Sequence, residues 1–318
     1  MDSNGPDGDI ERGRLAPRSG TSVSGAPLSQ NRAPAPDLAP WVARLVSAKI
    51  FSPPGGQIAC GMCNDLIYVR VVFDARWTAR TATGLNEYGN EALLFGQHSK
   101  FMPLTCTGHV MSAGVGLRAG AFFALTGRPA DEIVDRIEQA DPFGVLAEDL
   151  REAFASNRAC DEWDSAIETA LRRYIERVRP PPPDPVSAAF ELATFADPGL
   201  SLAAFAESQG LSLRQLERVV RRDFGLTPKK VLRRARALDL AAQLCGVADD
   251  GEADAMMLRY FDQSHLIREF AAFFGVTPRE FRSRPRPLLT ITLEQRQARR
   301  LEELQRIQPG STAPWRAE

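Results

Sequence analysis

The chain has 318 residues, of which 44% are hydrophobic and 25% charged, and its formal net charge is −1. This length predicts about two domains, and the composition is that of a soluble globular protein. The near-neutral balance excludes a chain that is basic throughout, so a polyanion partner would have to meet a local patch. No apolar run reaches the roughly 18 residues of a membrane span. The five cysteines, an odd number, do not form a disulfide framework, which favours the reducing cytoplasm.

The first half of the sequence divides into a tail and a β-rich domain. Residues 1–36 are rich in Gly, Pro, Ser, Asp and Ala, with almost no aliphatic side chains, which predicts a disordered tail. The stretch "QIACGMCNDLIYVRVVF" is β-branched and aromatic, and Gly-rich turns follow it, which predicts strands. Helical patterns begin at Pro129. Residues 37–179 are therefore predicted to form a regulatory domain that is β-rich and ends in helices.

A run of four prolines predicts the domain boundary. Apolar residues recur at helical spacing from Trp163 and stop at Arg179, just before "PPPPDP". Consecutive prolines favour an extended spacer, here placed at residues 180–185. Few contacts are expected to cross such a spacer, so residues 184–318 are expected to fold alone.

The second half contains an internal repeat. The segments "SLRQLERVVRRDFGLTPKK" and "DQSHLIREFAAFFGVTPRE" align at a constant offset of 50 residues. Each begins with an N-cap residue, Ser212 or Asp262, and each stops at a glycine, Gly225 or Gly275. Each also predicts one apolar helix face, made of Leu216, Val220 and Phe224 in the first copy and of Leu266, Phe270 and Phe274 in the second.

Another helix precedes each copy, so the pattern predicts two helix-turn-helix units. The stretch "PKKVLRRARALDLAAQLCG" lies between them and predicts a helix of about 18 residues, roughly 27 Å long. A rigid spacer of that size could hold two recognition helices about one DNA turn apart. Residues 186–284 are predicted to form this all-α domain.

Positive charge is concentrated in the first unit. Residues 213–237 contain nine basic side chains and two acidic ones, although the whole chain is nearly neutral. A solvated helix face is the alternative explanation, but the excess of cations favours contact with phosphates. The second unit is nearly neutral.

These segments resemble the DNA-binding domain of AraC/XylS-type transcription regulators. The resemblance implies that side chains near the start of each second helix face the major groove; in this sequence they are Arg214, Glu217, Arg218, Gln263, Ser264, His265 and Arg268. Arg221, Arg222 and the connecting helix would lie beside phosphates. Two positions depart from the family pattern, since Arg259 replaces a usual glycine and Asp254 a usual aliphatic residue, which weakens the expected DNA contribution of the second unit.

The N-terminal half resembles, more distantly, the effector domain of one branch of these regulators, through "GMCNDLIY" and "GHVMSAGVGLRAGAFFALTGRPADEIVDRI". This resemblance implies a small β-rich domain followed by helices and leaves open whether the strands form a cupin-like barrel. The fold class expected for the chain is thus α+β in two domains. No ligand comes with the resemblance.

Other chemistry has little support in the sequence. Cys60 and Cys63, like Cys106 and His109, have metal-ligand spacing, but in strands such pairs point to opposite faces. His98 and His109 could line a metal cavity, although lone histidines more often satisfy local hydrogen bonds. No phosphate loop or nucleophile motif is found, so neither enzymatic activity nor a metal or cofactor is predicted.

Residues 285–318 form a C-terminal extension in which "LEQRQARRLEELQRI" predicts an amphipathic helix that packs on its own chain or on a second copy. The function expected is a cytoplasmic regulator that binds double-stranded DNA under the control of a small molecule or another cue. RNA polymerase and a second copy of the chain are further partners left open. Two alternatives remain: a ligand-independent DNA-binding protein with a degenerate sensor, and a cupin-like enzyme that carries a DNA-binding domain.

Overall fold

The computed structural model describes residues 14, 20–25, 27–53, 55–153, 160–248 and 263–316, which form a β-sheet followed by helices. Within these ranges eight strands pair into one antiparallel sheet. Their bounds are β1 Ser29–Arg32, β2 Val42–Ile50, β3 Gln57–Met62, β4 Ile67–Thr81, β5 Gly84–Tyr88, β6 Glu91–Phe95, β7 Met102–Leu117 and β8 Ile137–Gln139. A β-rich first half followed by helices, as the sequence predicts, is confirmed.

The long strands β4 and β7 form the centre of the sheet. The strand order is β1-β2-β7-β4-β6-β8, with β3 also paired to β7 and β5 also paired to β4. The register of β4 on β7 shifts between Phe73 and Ala75, where Asp74 and the facing Gly108 both have positive φ angles of 57° and 93°. Such a bulge increases the local twist. The order has two ends, so the described strands form an open sheet and their pairings do not close a cupin-like barrel.

Both faces of the sheet are buried. One face packs against α1 (Ala121–Thr126), α2 (Val145–Ala153) and α3 (Cys160–Val178), with Phe73 meeting Trp163 edge-on at 5.3 Å between ring centroids. Leu288 and Ile291 from the C-terminal end of the chain pack against the other face. Because both faces of this strand are buried, the start of β4 reads "IYVRVVF", in which apolar residues follow one another on both faces and Arg70 is the exception.

The helices of the second half have the bounds α4 Pro185–Ala196, α5 Leu202–Ser208, α6 Leu213–Phe224, α7 Pro228–Leu244, α8 Gln263–Phe274, α9 Pro278–Ser283 and α10 Pro287–Glu303. The pair α5 and α6 forms the first helix-turn-helix unit, and α7 is the predicted connecting helix. The segment before α8, including Asp254, Arg259 and Asp262, lies outside the described residues. None of the described helices has both the length and the apolar character that crossing a membrane requires.

The ends of these helices follow the predicted capping chemistry. Ser212 Oγ accepts a hydrogen bond from the Gln215 amide while the Gln215 side chain accepts one from the Ser212 amide, which is a capping box. Thr277 and Glu280 make the same reciprocal pair at the start of α9. Gly225 ends α6 with a φ of 67° in the left-handed region. The local signals of the repeat therefore set the helix boundaries.

The predicted apolar faces form two separate small cores. Leu216, Val220 and Phe224 are buried with Phe190 of α4 in the first core. Leu266, Phe270 and Phe274 are buried in the second, where the ring of Phe270 lies 5.1 Å from that of Phe281. Each repeat therefore buries its own face.

Part of the predicted N-terminal tail belongs to the sheet. Residues 29–32, inside the predicted tail of residues 1–36, form β1 against β2. Arg32 then pairs with Asp164 at 3.2 Å and with Glu168 at 3.0 Å, both on α3. Ordering residues 29–32 costs conformational entropy, which the few apolar side chains of this segment do not offset. Strand pairing with β2 and the ion pairs to α3 offset it instead. Residues 1–13 and 15–19 lie outside the described part of the chain.

The helix α10 lies between the sheet and the helix-turn-helix helices. It begins six residues before the predicted amphipathic segment, and its residues 287–301 are all buried. Leu288 and Ile291 pack on the sheet, whereas Leu289 and Leu293 pack with α7 and α8. The helix therefore packs on its own chain, and the expectation that few contacts cross the proline spacer is wrong.

Buried ion pairs reinforce this docking. Asp65 of the sheet domain accepts from Arg299 of α10 at 2.8 Å and lies 3.4 Å from Arg296. Arg299 also pairs with Glu191 of α4 at 2.9 Å. Arg234 of α7 donates to the carbonyl oxygens of Asp65 and His98, each at 3.2 Å. Burial raises the pKa of Asp65, but the arginines outweigh burial and leave that pKa below its usual range.

We expect Asp65→Asn to lower the free energy of unfolding by about 1.5–3 kcal/mol, the value of hydrogen bonds to a charged group, because it removes one carboxylate from Arg296 and Arg299 while Asp239 and Glu191 remain. Urea denaturation measures the change. Asp37→Asn is the matched control, since Asp37 pairs with Arg172 on the surface and its loss should change stability little. Equal effects of the two substitutions would contradict a structural role for the Asp65 pairs.

We expect acid to destabilise the fold through His98. Burial lowers its pKa to about 4, below the value of about 6.5 of an unfolded histidine. The unfolded state then binds the extra proton, so stability is lost as the pH falls from about 6.5 to 4, by roughly 3 kcal/mol. Denaturation measured at several pH values over this range gives the free energy of unfolding at each pH. In His98→Gln that free energy should depend less on pH, and an unchanged pH dependence in that variant would contradict the assignment.

Candidate nucleic-acid interface

The helix α6 presents a polar face to solvent. Its apolar face is held in the core by Leu216, Val220 and Phe224, so the opposite face points outward. Arg214, Glu217, Arg218 and Arg221 are all exposed there. Together with Ser212 and Gln215 they line an open depression of about 440 Å³. Four of the predicted site residues therefore lie on one accessible helix face.

The basic patch of residues 213–237 divides into free and internally paired cations. In the described structure five of its nine basic side chains are exposed and take part in no ion pair; these are Arg214, Arg218, Arg221, Lys229 and Lys230. The free ones lie on α6 and at the first turn of α7. They form the cationic surface of the first unit.

The other four cations hold the protein together. Arg233 and Arg236 both pair with the buried Glu269 of α8, at 3.0 and 2.9 Å. Arg234 is buried at the interface with the sheet domain. A count of basic residues thus overstates the charge that this segment can offer to DNA.

Arg222, a predicted phosphate contact, is turned toward its own chain. It pairs with Asp223 at 2.7 Å and with Asp184 at 3.1 Å, and its guanidinium lies 4.7 Å from the ring centre of Phe123. The hydrogen bonds that Arg222 donates to the Asp223 carboxylate are the main reason why the pKa of Arg222 is raised. Asp223 is itself buried and accepts from Ser187 Oγ at 2.6 Å. This arrangement links the end of α6 to the proline spacer rather than to solvent.

The second unit presents fewer described groups. Ser264 and Arg268 are exposed on α8. The side chains of Gln263 and His265 lie outside the described part of the structure, so their predicted roles stay predictions. The neighbouring Glu269 is buried and occupied by Arg233 and Arg236, which leaves Arg268 as the described cation of this face.

Lys229 and Lys230 belong to the predicted basic patch and to the connecting helix expected beside phosphates, although neither is among the individually named site residues. They follow Thr227 and Pro228, which start α7, so their exposed side chains lie at the first turn of a helix close to the end of α6. The "TPKK" signal, a helix start followed by two lysines, was available in the sequence. Their position suits contact with a phosphate backbone.

The candidate metal and redox residues do not assemble a site. Cys106 and His109 are both in β7, and His109 Nδ1 accepts a hydrogen bond from the Ser52 amide at 3.2 Å. His98 Nδ1 accepts one from the Asn64 amide at 3.1 Å. Burial raises the pKa of the Cys63 and Cys106 thiols. Over the described ranges no three His, Cys, Asp or Glu side chains converge as metal ligands would.

Comparison with known proteins identifies two regions of the chain. Residues 30–139 match a domain of unknown function, DUF6597, and residues 205–284 match a helix-turn-helix domain. No curated protein matches the chain. Among solved structures, apo ToxT from Vibrio cholerae strain SCE256 is similar at 10% identity and a TM-score of 0.43, over 76% of this chain and 97% of that one.

A second ToxT structure, with an unsaturated fatty acid bound, is similar at 9% identity and a TM-score of 0.42, over 76% of this chain and 95% of the other. A likeness this distant does not transfer a ligand. The match over residues 205–284 contains the capped α6, the connecting helix α7 and α8, the helix of the second repeat. Residues 205–284 of the chain thus carry a helix-turn-helix domain.

Proposed function

We propose that this DNA-binding regulator reads the major groove mainly through α6 and receives a regulatory cue at its β-sheet domain. The observation that carries the proposal is the exposed face of α6, where Arg214, Arg218 and Arg221 have no ion pair with any described residue while neighbouring arginines do. Exposed and unpaired cations on a recognition helix are free to exchange their counterions for phosphates or to contact base edges.

The side chains of this face suit different groups of DNA. Arg214 and Arg218 can each donate two hydrogen bonds to a guanine, and Glu217 can accept from the amino group of a cytosine. Arg221, Lys229 and Lys230 would lie along phosphates, which fixes the register of the helix without reading sequence. In the second unit Arg268 and Ser264 would contribute, with Gln263 and His265 assigned by resemblance alone.

The β-sheet domain is the place for the cue because α10 joins it directly to the DNA-binding helices. A cue that changes how α10 packs on the sheet also changes the support of α7 and α8. The domain family that residues 30–139 match has no assigned function. The chemistry of the cue is therefore inferred from the side chains of this domain.

A ligand-independent regulator is the second candidate. The observation that favours it is the packing of Leu288 and Ile291 of α10 against one face of the sheet, which leaves less room for an effector on that face. This second candidate would be supported if the protein binds DNA and its DNA affinity does not change when ligands are added.

We expect Arg218→Ala to weaken specific DNA binding by about 1–3 kcal/mol, the value of one bidentate base contact. Arg268→Ala should weaken it less, because the second unit is less basic. The bound sequence is first selected from random double-stranded DNA, and fluorescence anisotropy then measures each affinity. Arg172→Ala, on α3, is the control. A larger loss in Arg268→Ala than in Arg218→Ala would overturn the ranking.

We expect the lysines and Arg222 to differ in the salt dependence of DNA binding. Each phosphate contact contributes about 1 to the slope of log K against log salt, so the double change Lys229→Gln and Lys230→Gln should lower that slope by roughly 2. Arg222→Gln should leave the slope unchanged and lower the free energy of unfolding instead, since it removes a partner of the buried Asp223. A reduced slope in Arg222→Gln would show that this side chain leaves its internal pairs when DNA binds.

A further inference from the structure

A small cavity lies between the sheet and α10. Its volume is about 50 Å³, which is room for roughly three or four waters or a molecule of similar size. Leu288, Ile291 and Gln295 of α10 line one side, and residues of β2, β3, β4 and β7 line the other. The cavity therefore touches both the sheet domain and the helix that supports the DNA-binding helices.

Four buried polar atoms around this cavity have no hydrogen-bond partner in the described structure. They are Ser47 Oγ, Arg70 Nε, Trp77 Nε1 and Gln295 Oε1. The four residues are between 2% and 7% exposed, so solvent does not reach these groups freely. Because buried polar groups in native proteins are nearly always hydrogen-bonded, four unpartnered ones around one cavity point to a bound molecule as their partner.

Arg70 differs from the other buried arginines of the described structure, which pair with carboxylates or, like Arg234 and Arg300, donate to backbone carbonyl oxygens. Arg44 pairs with Glu302, Arg296 with Asp239 and Arg299 with Glu191. Arg70 has no carboxylate at ion-pair distance among the described residues. Its guanidinium instead lies 3.9 Å from the ring centre of Tyr68 and 5.5 Å from that of Phe95.

The unpartnered atoms define the chemistry of a ligand. The guanidinium N–H of Arg70 and the indole N–H of Trp77 can only donate, and the Ser47 hydroxyl can also donate, so they match the oxygens of an anion. Gln295 Oε1 accepts and therefore matches a hydroxyl. A carboxylate bound to a guanidinium also supplies the countercharge that the pocket lacks.

We propose that this cavity binds a short hydroxycarboxylate of about five or six non-hydrogen atoms, the size of glycolate or lactate, with the carboxylate on Arg70 and Trp77 and the hydroxyl on Gln295. The volume limits the ligand to this size. The regulatory part of the inference rests on the proposed function: because Gln295 belongs to α10, occupation of the cavity fixes the helix that packs on α7 and α8.

Calorimetric titration of the full-length protein tests the site without DNA. The probes are glycolate, lactate, acetate, the neutral ethylene glycol, chloride and decanoate. Glycolate or lactate should bind at least tenfold more tightly than acetate, and the other three probes should give no saturable heat. The proposal is overturned if neither hydroxycarboxylate binds, as a cavity occupied by water alone would show, or if chloride or decanoate binds equally well.

Variants locate the binding. Arg70→Met should weaken glycolate binding at least tenfold, and Gln295→Leu should reduce it to the level of acetate. Arg76→Met is the matched control, because Arg76 is an exposed arginine of the same strand, and it should bind as the parent does. Should Arg70→Met fail to fold, Trp77→Phe removes one donor at nearly constant volume and is also expected to weaken binding. Undiminished affinity in Trp77→Phe and in whichever Arg70 variant folds would overturn the proposal.

The coupling is tested separately from DNA binding itself. Glycolate should change the DNA affinity of the parent protein at least threefold and leave that of Gln295→Leu unchanged. Binding of glycolate with no change in DNA affinity overturns the coupling, whereas a protein that binds glycolate but no DNA sequence overturns the proposed function and not the site.

Discussion

The docking of α10 is the constraint on which the rest of the structure depends. One side of this helix covers the sheet through Leu288 and Ile291, and another completes the core of the second repeat through Leu289 and Leu293. Its remaining surface is lined by Arg296 and Arg299, which need the carboxylates of Asp65, Asp239 and Glu191. A buried charge without its partner is strongly destabilising, so the sheet domain and the helical domain depend on each other for folding.

This mutual dependence has a functional consequence. In a chain whose domains meet only through a flexible spacer, a sensor acts on DNA binding through effective concentration or steric blocking. Here both domains share one helix, so a change at the sheet can reach α7 and α8 through contiguous packing. The arginines of the first unit divide into two groups. Internal hydrogen bonds and ion pairs that stabilise the fold are made by Arg222, Arg233, Arg234 and Arg236, whereas Arg214, Arg218 and Arg221 face solvent.

The sequence was sufficient for features whose physics is local. Ser212 with Gln215, Thr277 with Glu280, and the apolar faces led by Leu216 and Leu266 all lie where capping rules and helical spacing put them, because each depends on residues three or four positions away. The order of a β-rich half followed by helices could be predicted for the same reason. The extension of β1 into the predicted tail could not, since β1 is held by β2 and by ion pairs to α3 more than 130 residues further along the chain.

The partners of charged groups were also beyond local reasoning. A sequence shows that Arg222, Arg234 and Arg70 are cations but not which carboxylate, carbonyl or ring each one meets. The position of α10 was hidden for a related reason: its amphipathic pattern predicts a helix with one apolar face, whereas pairing with Asp65 and Glu191 allows the charged face to be buried as well. Long-range ion pairs thus account for most of the difference between the predicted and the described structure.

The central claim, that α10 makes the sheet and the DNA-binding helices one folding unit, is tested most directly by hydrogen exchange of the full-length protein at increasing urea concentration. Peptides from β7 and from α8 are followed in the same samples. Our account predicts that the two lose protection at the same urea midpoint, in one cooperative transition. Loss of protection in α8 at a clearly lower midpoint than in β7, with β7 unaffected, would contradict it.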